Sequence, residues 1–332
     1  MTQPPFSFTR TSLQRGLQTL CLGAAMALAS SAALAAFPEK PVRLVVGFAP
    51  GGSDISARLI GQKLAEIWGQ AVIIDNKPGA AGNIGADAVA RAAPDGYTLL
   101  LYVNSYAINT TLYRNLTWDL LRDFAPIGRY ATSPMVVVVN DKMPAKTFTE
   151  FVAYAKANPG QINYGSAGTG TAPHLAAELM AMRSGVAMTH VPYKGSGPSV
   201  TALVANEVQV SFGAMSAFDG LVKQGRLRAL AVTTPNRFSQ LPDVPTVSES
   251  GIHGFDVDIW YGLLAPAKTP LAITKKIGDD MARALTDPEL QTQLRARGLE
   301  PAYLDGAKTG EMIKFDVARW KEMVVKLKLS LD

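Results

Sequence analysis

Residues 42–54 run Val42-Arg43-Leu44-Val45-Val46-Gly47-Phe48-Ala49-Pro50-Gly51-Gly52-Ser53-Asp54. A short apolar, β-branched stretch gives way at once to Pro and Gly, the signature of a strand that stops. Ser53 or Asp54 can then cap a helix, and Ile55, Leu59, Ile60, Leu64 and Ile67 recur at the spacing that gives such a helix one apolar face. A second strand over 71–75 leads into the Gly-rich turn Asn76-Lys77-Pro78-Gly79-Ala80-Ala81-Gly82-Asn83, followed by a helix over 84–92 and a strand over 97–102. Strands alternating with helices predict an α/β fold with a mainly parallel sheet.

The pattern restarts further on. Strands are expected over 135–139, 161–164, 208–212 and 227–232, and helices over 147–157, 173–183 and 199–205, with the loop Gly165-Ser166-Ala167-Gly168-Thr169-Gly170-Thr171 between them. A strand-like segment over 256–264 precedes amphipathic helices over 270–286, 287–297 and 308–326. Two α/β units of similar size, with a helical tail free to return to the first, imply two lobes joined by crossing strands. The expected partition is 36–137 plus 257–332 for lobe 1 and 138–256 for lobe 2.

Of 332 residues, 48% are hydrophobic and 18% charged, enough for a real core. This excludes a disordered chain, a collagen-like fibre and a disulfide-stapled mini-domain. Three histidines and one cysteine supply no His/Cys cluster, so neither a metal nor another cofactor is expected. Residues 1–35 hold no Asp or Glu, two arginines (Arg10 and Arg15), an apolar middle and the ending Ala33-Leu34-Ala35, which is the plan of a secretory signal peptide. Its removal takes Cys21 with it and leaves 30 Lys+Arg against 27 Asp+Glu, a net +3. No basic run or basic-aromatic stripe points to nucleic acid, and no later stretch reaches the roughly 18 apolar residues of a membrane helix. A soluble periplasmic protein is the expectation.

Both units share one device, a strand, a loop of Gly with Ser or Thr, and a helix. Ligands of open α/β sheets sit beyond the carboxyl ends of the strands, and free N–H groups at helix starts favour anions. Gly51-Gly52-Ser53-Asp54 and Gly165-Ser166-Ala167-Gly168-Thr169-Gly170-Thr171, facing each other, would grip a small carboxylate. Asp54 can orient a ligand group, cap its helix, or pair with Arg58 one turn on. Asn104 and Ser105 end a strand on the same edge, Asn109 reads as a turn residue, Tyr193 can line a cleft, and Phe48 and Trp260 can form apolar walls. The catalytic search is negative. A nucleophile elbow around Ser166 needs Gly where Tyr164 stands, nothing pairs Ser166 with His174, and His174 with Glu178 lacks the second His of a zinc helix.

The motifs together resemble the solute-binding receptors of tripartite tricarboxylate transporters, the Bug receptors. They comprise Phe37-Pro38-Glu39-Lys40-Pro41-Val42-Arg43, the Gly51–Asp54 loop with Ala57-Arg58, the 76–85 turn, Pro94-Asp95-Gly96-Tyr97-Thr98-Leu99, Asp123-Phe124-Ala125-Pro126, Tyr164-Gly165-Ser166 with His174-Leu175, His190-Val191-Pro192-Tyr193-Lys194-Gly195, Pro242-Asp243-Val244-Pro245-Thr246 and Trp260-Tyr261-Gly262. The resemblance implies a type II periplasmic-binding fold, two α/β lobes with a ligand cleft between them. It also implies carboxylate contacts from Ser53 and Asp54 on one lobe and Ser166, Ala167, Gly168 and Thr169 on the other. Phe48, Gly52, Asn104, Ser105 and Tyr193 complete the expected binding set. One departure bears on Asp54: the family commonly places two residues between Gly-Gly and Asp, whereas Ser53 alone stands there. The implied function is capture of a small organic carboxylate by a monomeric, non-enzymatic receptor and its delivery to the membrane subunits of a transporter. The rival reading is a ligand-loaded co-sensor signalling to a membrane sensor kinase, and a third is a hydrolase using Ser166 and His174.

Overall fold

The computed structural model describes residues 37–329; the expected signal peptide lies outside the described residues. Among the described residues nine strands are arranged around one long one. β4 (Phe124–Asn140) runs 17 residues. Its first half pairs antiparallel with β9 (Asp258–Pro266), from Phe124 opposite Pro266 to Pro134 opposite Asp258, and with β10 (Glu300–Asp305). Its second half pairs antiparallel with β7 (Val210–Ala214) and β8 (Leu227–Val232). The exchange of partners falls at Pro134, whose ring nitrogen cannot donate to a ladder. β1 (Val42–Val46), β2 (Val72–Asn76) and β3 (Thr98–Tyr102) extend the β9 side, and β5 (Asn163–Ser166) and β6 (Thr189–Pro192) extend the β7 side, in the order β2-β1-β3-β9-β4-β7-β5-β6.

The sheet is therefore mixed rather than mainly parallel. β1 with β2 and β3, and β5 with β6 and β7, are parallel, while every pairing of β4 or β9 is antiparallel. The first half of β4 escaped the sequence reading because Pro126, Gly128 and Pro134 look like strand breakers. Register shifts near Pro126 and Arg129 absorb them. Its second half, Met135 to Val139, is buried on both faces, as the unbroken apolar run requires.

Helix α1 (Gly52–Trp68) buries Ala57, Ile60 and Leu64 and ends at Gly69 in the left-handed conformation. The residue at its N-cap is Gly51, with no side-chain cap; neither Ser53 nor Asp54 plays that part. α2 (Asn83–Ala90) follows the Gly-rich turn. α3 (Ser105–Leu112) and α7 (Met215–Lys223) were not anticipated. In α3 the Ser, Asn and two Thr disfavour a helix in isolation, and burial of Tyr106, Ala107, Ile108, Asn109 and Leu112 overrides propensity. Asn109 is accordingly a buried helix residue, not a turn: its amide donates to Ala81 O and Asn83 Oδ1. The remaining helices are α4 (Phe148–Ala157), α5 (Ala172–Ser184), α6 (Ser196–Val204), α8 (Leu271–Ala284), α9 (Pro288–Ala296) and α10 (Gly306–Lys326). α10 returns to pack on α3 and β4 through Ile313 and Trp320. Among the described residues no helix is long and apolar enough to cross a membrane.

Candidate functional site

Five helices begin at one cavity of about 40 Å³. Its wall takes Gly52 and Ser53 from α1, Asn104 and Ser105 from α3, Thr171, Ala172 and Pro173 from α5, Ser196 from α6, and Gly213 and Ala214 ahead of α7. Phe48, Val103, Ala167, Ile259 and Tyr261 close the rest, and among the described residues no charged side chain lines it.

These five helices share a chemical omission. None has a side-chain cap, the residues at their N-caps being Gly51, Asn104, Thr171, Gly195 and Ala214. Gly and Ala have nothing to cap with. Thr171 could cap, but its hydroxyl donates to Gly168 O at 2.7 Å. Asn104 could cap, but its Oδ1 accepts from Trp260 N at 3.1 Å and its Nδ2 donates to Asp316 Oδ2 at 3.3 Å. The helices that do carry caps begin elsewhere: Thr147 on α4, Asp287 on α9 and Asp305 on α10. The cavity thus collects helix starts whose N–H groups no side-chain cap of their own takes, although Gly52 N reaches Ser196 Oγ and Tyr106 N reaches Val103 O. A carboxylate there gains about 0.3–1 kcal/mol per helix end, more where partly buried. Of the five, only α1 has an acidic residue in its first turn, Asp54. That carboxylate is neutralised by a two-pronged pair with Arg58, at 2.8 and 3.0 Å.

The two sides of the cavity meet through backbone. Ala49 N donates to Lys194 O at 3.0 Å, and Gly52 N donates to Ser196 Oγ at 2.9 Å. Gly195 makes the approach feasible, with φ +139 and a missing Cβ that would stand 3.0 Å from Ala49 N.

Beneath the loop after β5 lies a buried stack. The His174 and His190 rings are 4.2 Å apart and Tyr164 lies 4.8 Å from His190. Ser166 Oγ hydrogen-bonds His190 Nε2 at 2.7 Å and accepts from Gly168 N at 3.1 Å, while His174 Nδ1 accepts from Gly170 N at 3.2 Å. Burial pushes His174 down to about 3, with His190 adding repulsion, and burial pushes His190 down to about 4. Both imidazoles are therefore neutral near pH 7 and act as props for the loop. The partner of Ser166 is His190, not His174, and the hydroxyl is fully buried.

A second chamber of about 230 Å³ adjoins the first, sharing Phe48 and Ala167 with it. Its other walls are the 79–82 turn, Tyr113, Gly168, Thr169 and the segment from Pro192 to Lys194.

Of the residues singled out in the sequence, Phe48, Gly52, Ser53, Asn104, Ser105 and Ala167 line the inner cavity, and Gly168, Thr169 and Tyr193 line the outer chamber. Asp54 and Ser166 lie behind the wall, turned to Arg58 and His190. Trp260 is not a wall residue. It stacks on Tyr102 at 4.2 Å and its Nε1 donates to Asp316 at 2.8 Å, so its strand neighbours Ile259 and Tyr261 face the cavity instead. Thr171 was part of the expected gripping loop and lines the inner cavity, whereas Pro173, Ser196 and Ala214 went unrecognised. Gly195-Ser196-Gly197-Pro198 did carry a signal, a second Gly/Ser turn opening a helix.

Comparison with known proteins bears on this arrangement. The profile of the tripartite tricarboxylate transporter family receptor matches residues 56–329. The periplasmic binding protein BugD is 33% identical, covers 89% of this chain and 99% of its own, and superposes with a TM-score of 0.86. Rpa4515 of R. palustris, solved with adipate, is 32% identical with coverage of 89% and 99% and a TM-score of 0.86. MatC of Rhodopseudomonas palustris, solved with bound malate, is 31% identical with coverage of 87% and 100% and a TM-score of 0.81. The shared architecture is the type II periplasmic-binding fold, two α/β lobes with a cleft between them, and the chain belongs to the tripartite tricarboxylate transporter receptor family.

Proposed function

We propose that this chain is a periplasmic receptor that holds a small organic carboxylate between its two lobes and delivers it to the membrane subunits of a tripartite transporter. The observation that carries the ligand class is the convergence of five uncapped helix starts on a cavity without a charged wall. Such a site suits an anion that is bound by dipoles and N–H groups rather than by an ion pair. Adipate and malate in the two related structures are carboxylates of this kind. Ser53, Ser105, Ala167 and Ser196 are the wall residues assigned to the carboxylate, and Phe48 and Tyr261 the apolar flank. The lobes, 36–137 plus 257–332 and 138–256, are joined by the two crossings at 137–138, within β4, and at 256–257, just ahead of β9.

A receptor of this design acts as a monomer and needs no catalytic group. Ser166, among the described residues the one serine hydrogen-bonded to a histidine, is sealed from solvent and props a loop. Capture followed by release calls for an affinity near micromolar, about −8 kcal/mol, within reach of a few charge-assisted hydrogen bonds. The test is a thermal-shift and calorimetric screen of the chain from Ala36 onward against mono-, di- and tricarboxylates, with neutral amides of the same skeletons as controls. A carboxylate present at about 100 times its Kd adds about 2.7 kcal/mol of stability. Equal response to the amides, or silence across the carboxylates, refutes the reading.

A further inference from the structure

Among the described residues Lys194 is the only charged one that lines either chamber. It is exposed, and among the described residues its ammonium makes no hydrogen bond or ion pair. Its backbone has a separate task, since Lys194 O accepts Ala49 N in the contact that brings the two sides of the cleft together. The same short loop continues to Ser196, whose hydroxyl takes Gly52 N. An unpaired cation is thus mounted on the segment that latches the cleft.

The chamber beside it is shaped to be filled. Across from Lys194 the wall is Gly79-Ala80-Ala81-Gly82, which carries nothing larger than a methyl group. Ala80 and Ala81 both lie in the left-handed region, at φ 46 and 53, conformations that side-chain-bearing residues avoid. Asn109 holds the turn there by donating to Ala81 O at 3.1 Å. The outer chamber, about 230 Å³ against about 40 Å³ for the inner cavity, lies beside it and shares Phe48 and Ala167 as wall residues.

We propose that Lys194 is a specificity-determining residue: it meets a second acidic group on an elongated ligand whose first carboxylate lies at the helix starts, and thereby favours the latched cleft. This rests on the carboxylate-receptor reading and adds to it a residue and a length rule. A monoanion fills the inner cavity but leaves the Lys194 charge unanswered, so it closes the cleft less completely. A dianion too short to pass Phe48 behaves like a monoanion. The flexible four-carbon stem of lysine lets the ammonium follow the ligand end, and a carboxylate–ammonium hydrogen bond in a closing chamber is of the charge-assisted kind.

The experiment is calorimetry on the chain from Ala36 onward with straight α,ω-dicarboxylates of four to eight carbons and the monocarboxylates of matching length, for the natural protein, Lys194→Gln and Lys194→Arg. Closure is followed in parallel by small-angle scattering. The expected result is a dicarboxylate preference of about tenfold at the best length, a collapse of that ratio to about twofold in Lys194→Gln, and its recovery in Lys194→Arg. Compaction on binding should be larger with the dicarboxylate. A natural protein with no preference, or a preference that survives Lys194→Gln, overturns the assignment of Lys194 while the receptor reading stands. If neither series binds, the receptor reading falls and this inference with it.

Discussion

Gly197→Ala separates cleft closure from folding. Gly197 is the second residue of α6, and a Cβ built on it lands on the carbonyl oxygen of Pro50, a backbone atom that no side-chain rotation can move aside. The strand–loop–helix unit holding Pro50 and the unit holding Gly197 meet here through Ala49 N to Lys194 O and Gly52 N to Ser196 Oγ, at 3.0 and 2.9 Å. Alanine in place of glycine keeps these two bonds from forming together. At about 1 kcal/mol each, the loss is about 2 kcal/mol, or roughly 30-fold in Kd for a ligand that needs the closed cleft. Within α6 itself alanine is the better helix former, by up to about 1 kcal/mol, so the ligand-free protein should keep its stability. Calorimetry with the best carboxylate gives the first quantity and urea unfolding of the ligand-free protein the second. An affinity within about threefold of the natural protein would refute the argument that this contact closes the site. A fall in ligand-free stability beyond about 1 kcal/mol would refute it differently, by showing the contact to be part of the folded core.

Three further outcomes follow from the structure. Asp316→Ala strips the acceptor from Trp260 Nε1 and Asn104 Nδ2, both buried, and should cost about 3 kcal/mol in urea unfolding, whereas Asp316→Asn, which keeps an acceptor oxygen, should cost less than half as much. Stability should decline as the pH falls from about 6.5 towards 4. His174 and His190 are held neutral in the fold at about 3 and 4 while the unfolded chain takes up their protons, at a limiting slope of about 1.4 kcal/mol per pH unit for each. Asp316, raised to about 6 chiefly by burial, and Asp258, also raised chiefly by burial, act in the opposite sense. Asp87, Asp123, Glu249 and Asp287, held low by their hydrogen-bond partners, act with the histidines, so urea midpoints from pH 4 to 7 should still rise, and less steeply in His190→Gln. Finally, Thr147→Ala and Asp305→Ala remove caps from helices that do not reach the cavity and should each lower stability by about 1 kcal/mol with carboxylate affinity unchanged; altered binding would contradict the separation between capped and uncapped helices.

Much of the site was legible at the level of loops and little of it at the level of facing. The strand–Gly/Ser loop–helix device at 47–54 and 165–171 placed Gly52, Ser53, Ala167, Gly168 and Thr169 around the two chambers. Local chemistry also anticipated the Asp54–Arg58 pair, because residues four apart on a helix are neighbours whatever the rest of the chain does. Trp260 and Tyr261 went the other way. Adjacent strand residues point to opposite faces, and which face meets the cleft is set by the pairing of β9 with β4 and β3, which the stretch itself does not encode. Ser166 found His190 rather than the nearer His174 because β5 and β6 lie side by side in the sheet.

The sequence alone determined that this is an α/β chain whose Gly- and Ser-rich loops open helices, since backbone preferences and apolar periodicity act over a few residues at a time. It also determined that no His/Cys cluster is at hand, because composition sets that limit. Tertiary structure decided that five helix starts share one cavity, those of the unanticipated α3 and α7 among them, that Asn104 and Thr171 spend their side chains elsewhere and leave their helices uncapped, and that Lys194 stands on the closing loop. Those facts are contacts between segments up to more than two hundred residues apart, such as Asn104 with Asp316. They come from burying one shared core rather than from anything a local stretch prefers.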